Sequence, residues 1–267
     1  TKITRYSNPS GLIDGFYAGK YVGEIWGYET IGIAQSDQEM AEHIGRLING
    51  GQSNLGQDWK AGDIMYKDLN EDGKIDAGSH TLQDHGDLKR IGNSTPRYNV
   101  GLELAADWKG FDIRMFWQGT LKRDYFQGSY YFWGANGRQG PWFSTALKGH
   151  DDYFRNDEAS PLGTNLNSYY PRPLFNTDKN QQSQTKYLQD ASYLRLKNLQ
   201  IGYSLPHNIV QKMGMQHLRI FASGENLFTI TSLIDFFDPE SIEGGSWGHG
   251  NVYPLSRTFS FGLNVTF

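Results

Sequence analysis

Arg257-Thr-Phe-Ser-Phe-Gly-Leu-Asn-Val-Thr-Phe267 is the stretch of sequence that decides the fold class. Apolar side chains occupy every second position in it, namely Phe259, Phe261, Leu263, Val265 and Phe267. Because successive side chains of a strand point to opposite faces, this stretch predicts a strand with one apolar and one polar face. Its length is close to that of a tilted membrane-spanning strand, about 9–11 residues. A sheet with one face in water has the same alternation, so other parts of the chain must separate the two architectures.

The composition of the 267 residues excludes several classes of protein. No apolar run approaches the length of about 18 residues that a transmembrane helix needs, whereas the strands of a membrane barrel have a far weaker signal. The absence of cysteine excludes disulfides and thiolate metal sites. A net charge of −4 gives no support for a nucleic-acid partner.

Further alternating segments precede the last strand. Tyr98–Trp108 and Phe111–Gln118 alternate and are joined by Lys109-Gly110, which predicts a hairpin with one apolar face. Asn198–Leu205 also alternates, and Leu218–Thr231 does so imperfectly. The chain therefore contains several strands of one amphipathic antiparallel sheet.

The connections between these strands differ in length in a regular way. Those at Lys109-Gly110 and Pro206–His217 are short, whereas those at Gly119–Asp190 and Ser232–Ser256 are long. Outer-membrane barrels alternate short periplasmic turns with long extracellular loops in this manner. Aromatic residues also lie near both ends of the strands, as membrane interfaces favour: Trp108, Phe111 and Phe267 at one end, and Tyr98, Trp117 and Phe259 at the other.

These patterns predict an all-β fold that forms part of an antiparallel transmembrane β-barrel with long extracellular loops. We expect residues 1–97 to form an extracellular loop region and residues 98–267 to hold the barrel strands and their loops. The first region should contain one helix, because Ser36 and Glu39 form a capping box before an apolar stripe that includes Met40 and Ile48.

The sharpest local motif is Asp68-Leu-Asn-Glu-Asp-Gly-Lys-Ile-Asp76. Oxygen ligands at alternate positions around a glycine are typical of an EF-hand calcium loop. The predicted ligands are Asp68, Asn70, Asp72, the carbonyl of Lys74 and Asp76. The last ligand position holds Ser79 instead of glutamate, so we expect weak binding of a structural Ca²⁺ unless Asp84 or Asp87 folds back. The alternative is a turn whose side chains bind their own backbone.

Aromatic residues are concentrated in the long connection between Gly119 and Asp190. Tyr130, Trp133, Trp142 and Tyr170 are the candidate substrate-binding residues, because exposed rings at a barrel mouth stack on sugars or on peptide side chains. The alternative is that the same rings pack the loops against one another. Arg195 and Lys197 either carry charge on the wall of the barrel lumen or lie on solvated surface near a loop.

No catalytic motif is present in the sequence. The seven histidines form no His-Glu-x-x-His pair, and neither a nucleophile elbow nor a phosphate-binding loop occurs. Adjacent acids such as Asp151-Asp152 usually face water. We therefore predict that the chain is not an enzyme.

Several segments resemble SusC/RagA-type TonB-dependent transporters of the Bacteroidetes outer membrane. They occur in the same order along nearly the whole chain: 62–76, Pro96-Arg-Tyr98, Lys109-Gly-Phe-Asp-Ile113, 191–206 and 222–228. The resemblance implies the C-terminal strands of a 22-stranded barrel that imports oligosaccharides or peptides. It also implies four partners: a SusD-like lipoprotein, TonB acting through an N-terminal region outside this sequence, the rest of the barrel, and membrane lipid.

A second hypothesis is a secreted β-protein that binds or cleaves glycans. In such a protein the aromatic loops would form the site and the chain would fold alone in buffer. The transporter hypothesis instead predicts a protein that needs detergent and whose gel mobility changes on boiling.

Overall fold

A computed structural model describes residues 1–137, 140–242 and 255–267. Strands dominate, which confirms the predicted β-rich class; they are β1 (Glu24–Tyr28), β2 (Thr30–Ile33), β3 (Ile64–Tyr66), β4 (Leu88–Asn93), β5 (Asn99–Trp108), β6 (Phe111–Thr120), β7 (Asp124–Phe126), β8 (Leu188–Asp190), β9 (Tyr193–Ser204), β10 (His217–Thr231) and β11 (Thr258–Thr266). The helices are α1 (Asp37–Arg46), α2 (Tyr130–Trp133) and α3 (His207–Val210), with 3₁₀ turns at Pro141–Phe143, Lys148–Asp151 and Gln211–Met213.

Five strands form one antiparallel sheet in the order β11-β10-β9-β6-β5. Its register aligns apolar side chains into rows that cross all five strands, such as Ala106, Ile113, Ile201, Ala222 and Phe261. Side chains opposite one another on paired strands share a face, so these rows make a continuous apolar face. It is largely uncovered in this chain, since Phe261 is 85% exposed.

The other face of the sheet is polar. One of its rows consists of Ala105, Arg114, Gln200, Ser223 and Ser260. The alternation that the sequence shows is therefore retained across the sheet and separates an apolar surface from a hydrated one.

Phe221 is an apolar residue on the polar face, and its neighbours explain its position. It pairs with Gly202 on one side and Gly262 on the other. A β-carbon on Gly262 would lie 2.3 Å from the ring of Phe221, so the ring occupies the space above that glycine. The guanidinium of Arg219 stacks over the ring at 5.0 Å and pairs with Asp112, with an Nε to Oδ1 distance of 2.8 Å.

The sheet geometry also explains where the alternation holds and where it fails. Lys109 and Gly110 both have positive φ, 48° and 88°, which is the backbone of a two-residue hairpin turn, as predicted. In β10 the register shifts between Glu225 and Phe228, and Asn226 has a φ of 53°. This β-bulge accounts for the irregularity at Leu227, whereas Phe221 lies before it in regular register.

The described residues form two compact units. The first consists of residues 1–95, 124–137 and 140–189, and the second of residues 96–123, 190–242 and 255–267. The division into an extracellular loop region, residues 1–97, and a barrel region, residues 98–267, stays a prediction. Residues 124–137 and 140–189, which follow β6, are in the same unit as residues 1–95 because most of their contacts are with that unit.

The first unit is held by short strand pairs and by α1. Strand β1 pairs with β4, and β2 pairs with β3. Helix α1 begins as predicted, since Ser36 Oγ accepts a hydrogen bond from the backbone of Glu39, and it buries Met40. The predicted stripe is wrong at Ile48, which lies beyond the helix and is 83% exposed.

Among the described residues, no helix is long and apolar enough to cross a membrane.

Candidate functional site

The segment Asp68–Asp76 forms a tight loop between β3 and β4 in the first unit. Its side-chain oxygens hold backbone groups: Asp68 Oδ2 accepts from the N–H of Gly73 at 2.8 Å, Asn70 Oδ1 from that of Asp72 at 3.1 Å, and Asp72 Oδ1 from that of Lys74 at 3.1 Å. Gly73 has a φ of 82°, the left-handed conformation that favours glycine. These bonds are those of the turn alternative.

Asp87 folds back against this loop, while Asp84 does not. The carboxylate of Asp87 is fully buried and accepts hydrogen bonds from the backbone of Leu69 at 2.7 Å and of Asp76 at 2.9 Å. Burial raises the pKa of Asp87, and the nearby charge of Asp68 adds to the effect. Asp84 instead accepts from the backbone of Ser79 at 2.8 Å.

The loop already contains one cation, the ammonium group of Lys74. It pairs with Asp76 and lies 3.7 Å from an oxygen of Asp72, and its hydrogen bond with Asp76 raises the pKa of Lys74. Within the described ranges, no group of three or more His, Cys, Asp or Glu side chains is arranged to hold a metal ion. One carboxylate oxygen is nevertheless available to a cation, because Asp68 Oδ1 is buried and has no hydrogen-bond partner in the described structure.

An aromatic cluster forms the core of the segment between β7 and β8. The rings of Phe132 and Trp133 lie 4.9 Å apart, Trp133 lies 4.7 Å from Tyr187, and Tyr169 lies 4.8 Å from Tyr170. Edge-to-face pairs of this kind stabilise beyond the area that they bury. The hydroxyl of Tyr187 donates to the carbonyl of Tyr169 at 2.8 Å, which closes the cluster.

The structure places the four candidate substrate-binding residues in different environments. Trp133 and Tyr170 are buried in the cluster, with 6% and 3% of their surface exposed. The ring of Tyr130 lies beside that of Tyr131, with centroids 4.5 Å apart and planes tilted by 31°. Trp142 is 92% exposed. Trp133 and Tyr170 therefore pack within the cluster, Tyr130 is partly exposed and Trp142 is exposed, and substrate binding by the four residues stays a prediction.

A cavity of about 490 Å³ lies beside the aromatic cluster and is part of the first unit. Trp133 and Tyr170 line it, so the cluster also forms one wall. The run Pro171–Phe175 and Ala146 form further parts of the wall. These aliphatic and proline residues were not among the residues predicted from the sequence. The Tyr-Tyr-Pro-Arg-Pro run at 169–173 was the available signal, since two prolines restrict the backbone next to two rings.

A buried ion cluster fastens one wall of the cavity to the segment before β3. Asp63 is fully buried and accepts from Arg172 Nε and Nη2, both at 2.7 Å, and from Lys179 Nζ at 2.9 Å. Lys179 is also buried and donates to the carbonyls of Gln57 and Asp58. Burial works to raise the pKa of Asp63, but the hydrogen bonds from Arg172 and Lys179 outweigh it and lower that pKa.

The polar face of the sheet in the second unit carries ion pairs near the end of β10. Arg195 is 4% exposed and forms two hydrogen bonds with Asp238, at 2.9 and 2.8 Å, and one with Glu240 at 2.8 Å. Lys197 binds Glu240 at 2.9 Å. Arg195 is therefore not solvated surface, because its charge is bound by acidic residues of the loop that follows β10.

An amphipathic antiparallel sheet whose strands are joined alternately by short and long connections is typical of outer-membrane β-barrels. The chain is 30% identical over 258 residues to TonB-dependent receptor P3 of Formosa agariphila, a match that covers 93% of the chain. It is 26% identical over 225 residues to TonB-dependent receptor P26 of the same organism. The resemblance to SusC/RagA-type TonB-dependent transporters is confirmed, and the chain is a relative of these proteins. No protein-family model matches it.

Solved structures agree with this result at the level of the fold. The RagAB peptide transporter matches 94% of the chain with a TM-score of 0.60 and 22% identity. The RagAB peptide importer in its closed-closed state matches 99% with a TM-score of 0.58 and 21% identity. The chain spans 22% of the length of receptor P3 and 24% of that of the RagAB chain in the first structure. The names of these relatives describe receptors and transporters, which is consistent with the prediction that the chain is not an enzyme.

Proposed function

We propose that the chain forms part of the wall and the loops of an outer-membrane importer. The observation that carries this proposal is the sheet β11-β10-β9-β6-β5, whose apolar face is continuous and uncovered while its other face is polar. In a membrane barrel the apolar face contacts lipid and the polar face lines the interior. A water-soluble sheet would cover so large an apolar surface.

The edges of the sheet support the presence of further strands in the same barrel. Within the described residues, β5 and β11 each pair with one strand of this sheet and leave an edge unpaired. Unpaired backbone groups are not tolerated in the hydrocarbon region, so each edge requires a neighbour. We propose that the neighbours are other strands of the intact transporter.

The substrate of the proposed importer is a peptide or an oligosaccharide. A SusD-like lipoprotein is the proposed partner at the cell surface, and TonB is the proposed source of energy. Support comes from the relatives named above, because the RagAB protein is described as a peptide importer. The two long connections, which follow β6 and β10, are the proposed extracellular segments.

Uptake by cells tests this function. Deletion of the gene for the intact protein should abolish uptake of a fluorescent peptide mixture or oligosaccharide mixture, and the gene supplied on a plasmid should restore it. The purified protein should need detergent and should migrate faster on a gel before boiling than after it. Unchanged uptake in the deletion strain, together with solubility in plain buffer, would refute the proposal.

We also propose that the loop Asp68–Asp76 binds a structural Ca²⁺. Asp68 Oδ1, which is buried and unpartnered among the described residues, supports this proposal because a buried carboxylate oxygen without a partner is costly. Asp68, Asp72 and Asp76 would supply carboxylate oxygens, with Asn70 and the carbonyl of Lys74 as further ligands. The ion would stiffen the turn and compete with the ammonium of Lys74 for Asp76.

Thermal unfolding with calcium or with a chelator tests the metal proposal. We expect millimolar Ca²⁺ to raise the melting temperature of the intact protein, and Asp68→Asn to remove that increase. Lys74→Met removes the competing ammonium and should strengthen the response. Asp157→Asn, an exposed substitution, is the control and should respond like the wild type. The proposal fails if calcium does not change the melting temperature of the wild-type protein.

A further inference from the structure

The segment that follows β10 turns back over the polar face of the sheet in the second unit. Strand β10 ends at Thr231. Glu240 lies beyond that end, yet it binds Arg195 and Lys197, which are both within β9. Arg195 pairs in register with Thr229, before the end of β10. The chain therefore leaves the sheet at the end of the strand and returns along its polar face.

The guanidinium of Arg195 is held close to the sheet and does not reach out from it. Its Nε donates to Thr229 Oγ1 at 2.8 Å, on the neighbouring strand. Its two remaining nitrogens donate to Glu240 and to Asp238, both at 2.8 Å. Arg195 is only 4% exposed, so the two acids meet the wall itself and are not separated from it by water.

The backbone of the same segment is held by a second arginine. Arg123, which follows β6, donates from Nη2 to the carbonyl of Ile242 at 3.0 Å. Asp238 also shapes the backbone, since its Oδ1 accepts from the N–H of Glu240 at 2.9 Å. Charged contacts from two parts of the sheet thus fix residues 238–242, which we call the inner turn.

The two ends of the polar face differ in exposure. Thr120 and Tyr193 are paired where β6 ends and β9 begins, and they are 6% and 8% exposed. Arg114 and Ser260, on a row nearer the short connections, are both exposed. The inner turn therefore lies at the end of the polar face from which the long connections leave.

We propose that the inner turn narrows the passage through the importer at this end, with Arg195 as the positioning residue that holds it there. In the proposed function the polar face lines the interior, so a turn packed on that face occupies space in the passage. The turn would limit the bulk of the molecules that pass. The inference rests on the proposed function and refines it, because it assigns the first part of the connection after β10 to the interior of the barrel.

Labelling with reagents of two sizes tests the inference. Ser241→Cys places a thiol on the inner turn, and Ala159→Cys places one at an exposed site outside it, each in purified intact protein without other cysteines. The reagents are a small maleimide dye and a maleimide on a bulky polyethylene glycol chain. Relative to the dye, the bulky reagent should label Ser241→Cys at least about tenfold more slowly than Ala159→Cys, because a confined site must open first. Equal ratios at the two sites would overturn the inference.

Two arginine substitutions separate the position of the turn from the stability of the sheet. Arg195→Gln, in the Ser241→Cys protein, removes the charge that holds the turn and should speed labelling by the bulky reagent by about 10- to 100-fold. Arg219→Gln is the matched control and should leave the rate unchanged. Arg219 also pairs with an acid on the polar face, Asp112, with an Nε to Oδ1 distance of 2.8 Å, but neither residue contacts the turn in the bonds described. Equal rates in the two variants would refute the role of Arg195.

A milder substitution repeats the test if the arginine variant does not fold. Asp238→Asn retains an oxygen that can accept from the N–H of Glu240, and it removes the charge that Arg195 binds. Labelling of Ser241→Cys by the bulky reagent should again become faster, with a normal folded yield on an unboiled gel. An unchanged rate in the folded variant would count against the proposal.

This experiment and the uptake assay fail independently. Labelling measures access to the inner turn, whereas uptake by the deletion strain measures transport. Gene-dependent uptake, combined with free access of the bulky reagent to Ser241→Cys, would leave the importer in place and overturn the narrowing. Restricted access that Arg195→Gln relieves, without gene-dependent uptake, would support the position of the turn and overturn the importer.

Discussion

Replacement of Asp63 by asparagine should be among the most destabilising isosteric changes in the first unit. The substitution retains the shape of the side chain and one acceptor oxygen. It removes the charge that binds Arg172 at 2.7 Å and Lys179 at 2.9 Å. It also puts an amide nitrogen, which donates, in place of one carboxylate oxygen, which accepts. If that nitrogen takes the place of Oδ1, it faces the amide nitrogen of Asn180, which donates to Oδ1 at 2.8 Å in the wild type.

The expected loss follows from the burial of the partners. The side chain of Lys179 is 1% exposed, so water cannot replace the lost carboxylate, and the ammonium retains only neutral carbonyl acceptors among the bonds described. Arg172 is 27% exposed and regains some hydration. Removal of one member of a buried ion pair typically costs about 3–5 kcal/mol, and we expect a loss in this range. In a Lys179→Met background the same substitution should cost less, because no buried ammonium is left without a counter-charge.

The pH dependence provides a second measure of the same cluster. The pKa of Asp63 is lowered in the folded protein, so the unfolded chain binds more protons at acidic pH. The stabilisation is therefore complete above the unfolded pKa, about 4, and is lost as the pH falls through the lower folded value. Asp63→Asn should flatten this acid limb of the stability curve.

Denaturant unfolding of the intact protein in detergent, followed by tryptophan fluorescence, measures these effects. Trp59 is a suitable reporter because the ammonium of Lys179 lies 4.5 Å from its ring centroid. Hydrogen exchange of residues 170–180 identifies where the loss occurs. Asp157→Asn, at an exposed site, is the control and should change stability by no more than about 0.5 kcal/mol. A loss below about 1 kcal/mol in Asp63→Asn, with unchanged acid sensitivity, would refute the reasoning.

Three further predictions concern the sheet and the aromatic cluster. Phe261→Arg on the uncovered apolar face should reduce barrel stability by about 2–4 kcal/mol in a membrane, whereas Ser260→Arg on the polar face should be tolerated. The yield of folded protein on an unboiled gel compares the two variants. Equal yields would contradict the assignment of the apolar face to lipid. Gly262→Val should also lower that yield, because its β-carbon would lie 2.3 Å from a ring on β10; a normal yield would show that the ring can move. Tyr187→Phe should lower the melting temperature, because it removes a buried hydrogen bond worth about 1 kcal/mol. Tyr170→Phe should not lower it, since the hydroxyl of Tyr170 has no partner among the described residues. A lower melting temperature for Tyr170→Phe than for Tyr187→Phe would contradict the assigned bonds.

The strands could be predicted from the sequence because their signal is local. The alternation of Tyr98–Trp108 and the turn at Lys109-Gly110 depend on neighbouring residues only, and both are present in the structure. The capped start of α1 was predicted for the same reason. Ile48 was misplaced because a periodic pattern does not show where the backbone leaves the helix.

The candidate site was predicted less completely, because it depends on contacts between distant residues. The aromatic residues Trp133 and Tyr170 were recognised as a concentration of rings, but the sequence did not separate packing from exposure. The oxygen-rich loop Asp68–Asp76 was recognised from its spacing. The return of Asp87 was considered, but the use of both its oxygens by backbone N–H groups appeared only in the structure.

The sequence by itself determined the two faces of the sheet. Side chains alternate along any strand, so Arg257–Phe267 has an apolar and a polar face whatever its neighbours are. Tertiary structure alone decided which rows join across β11, β10, β9, β6 and β5, and that Asp63 meets Arg172, a residue 109 positions away along the chain. A strand's periodicity is a property of its own backbone, whereas a buried ion pair or a cavity wall exists only where the folded chain brings separate segments together.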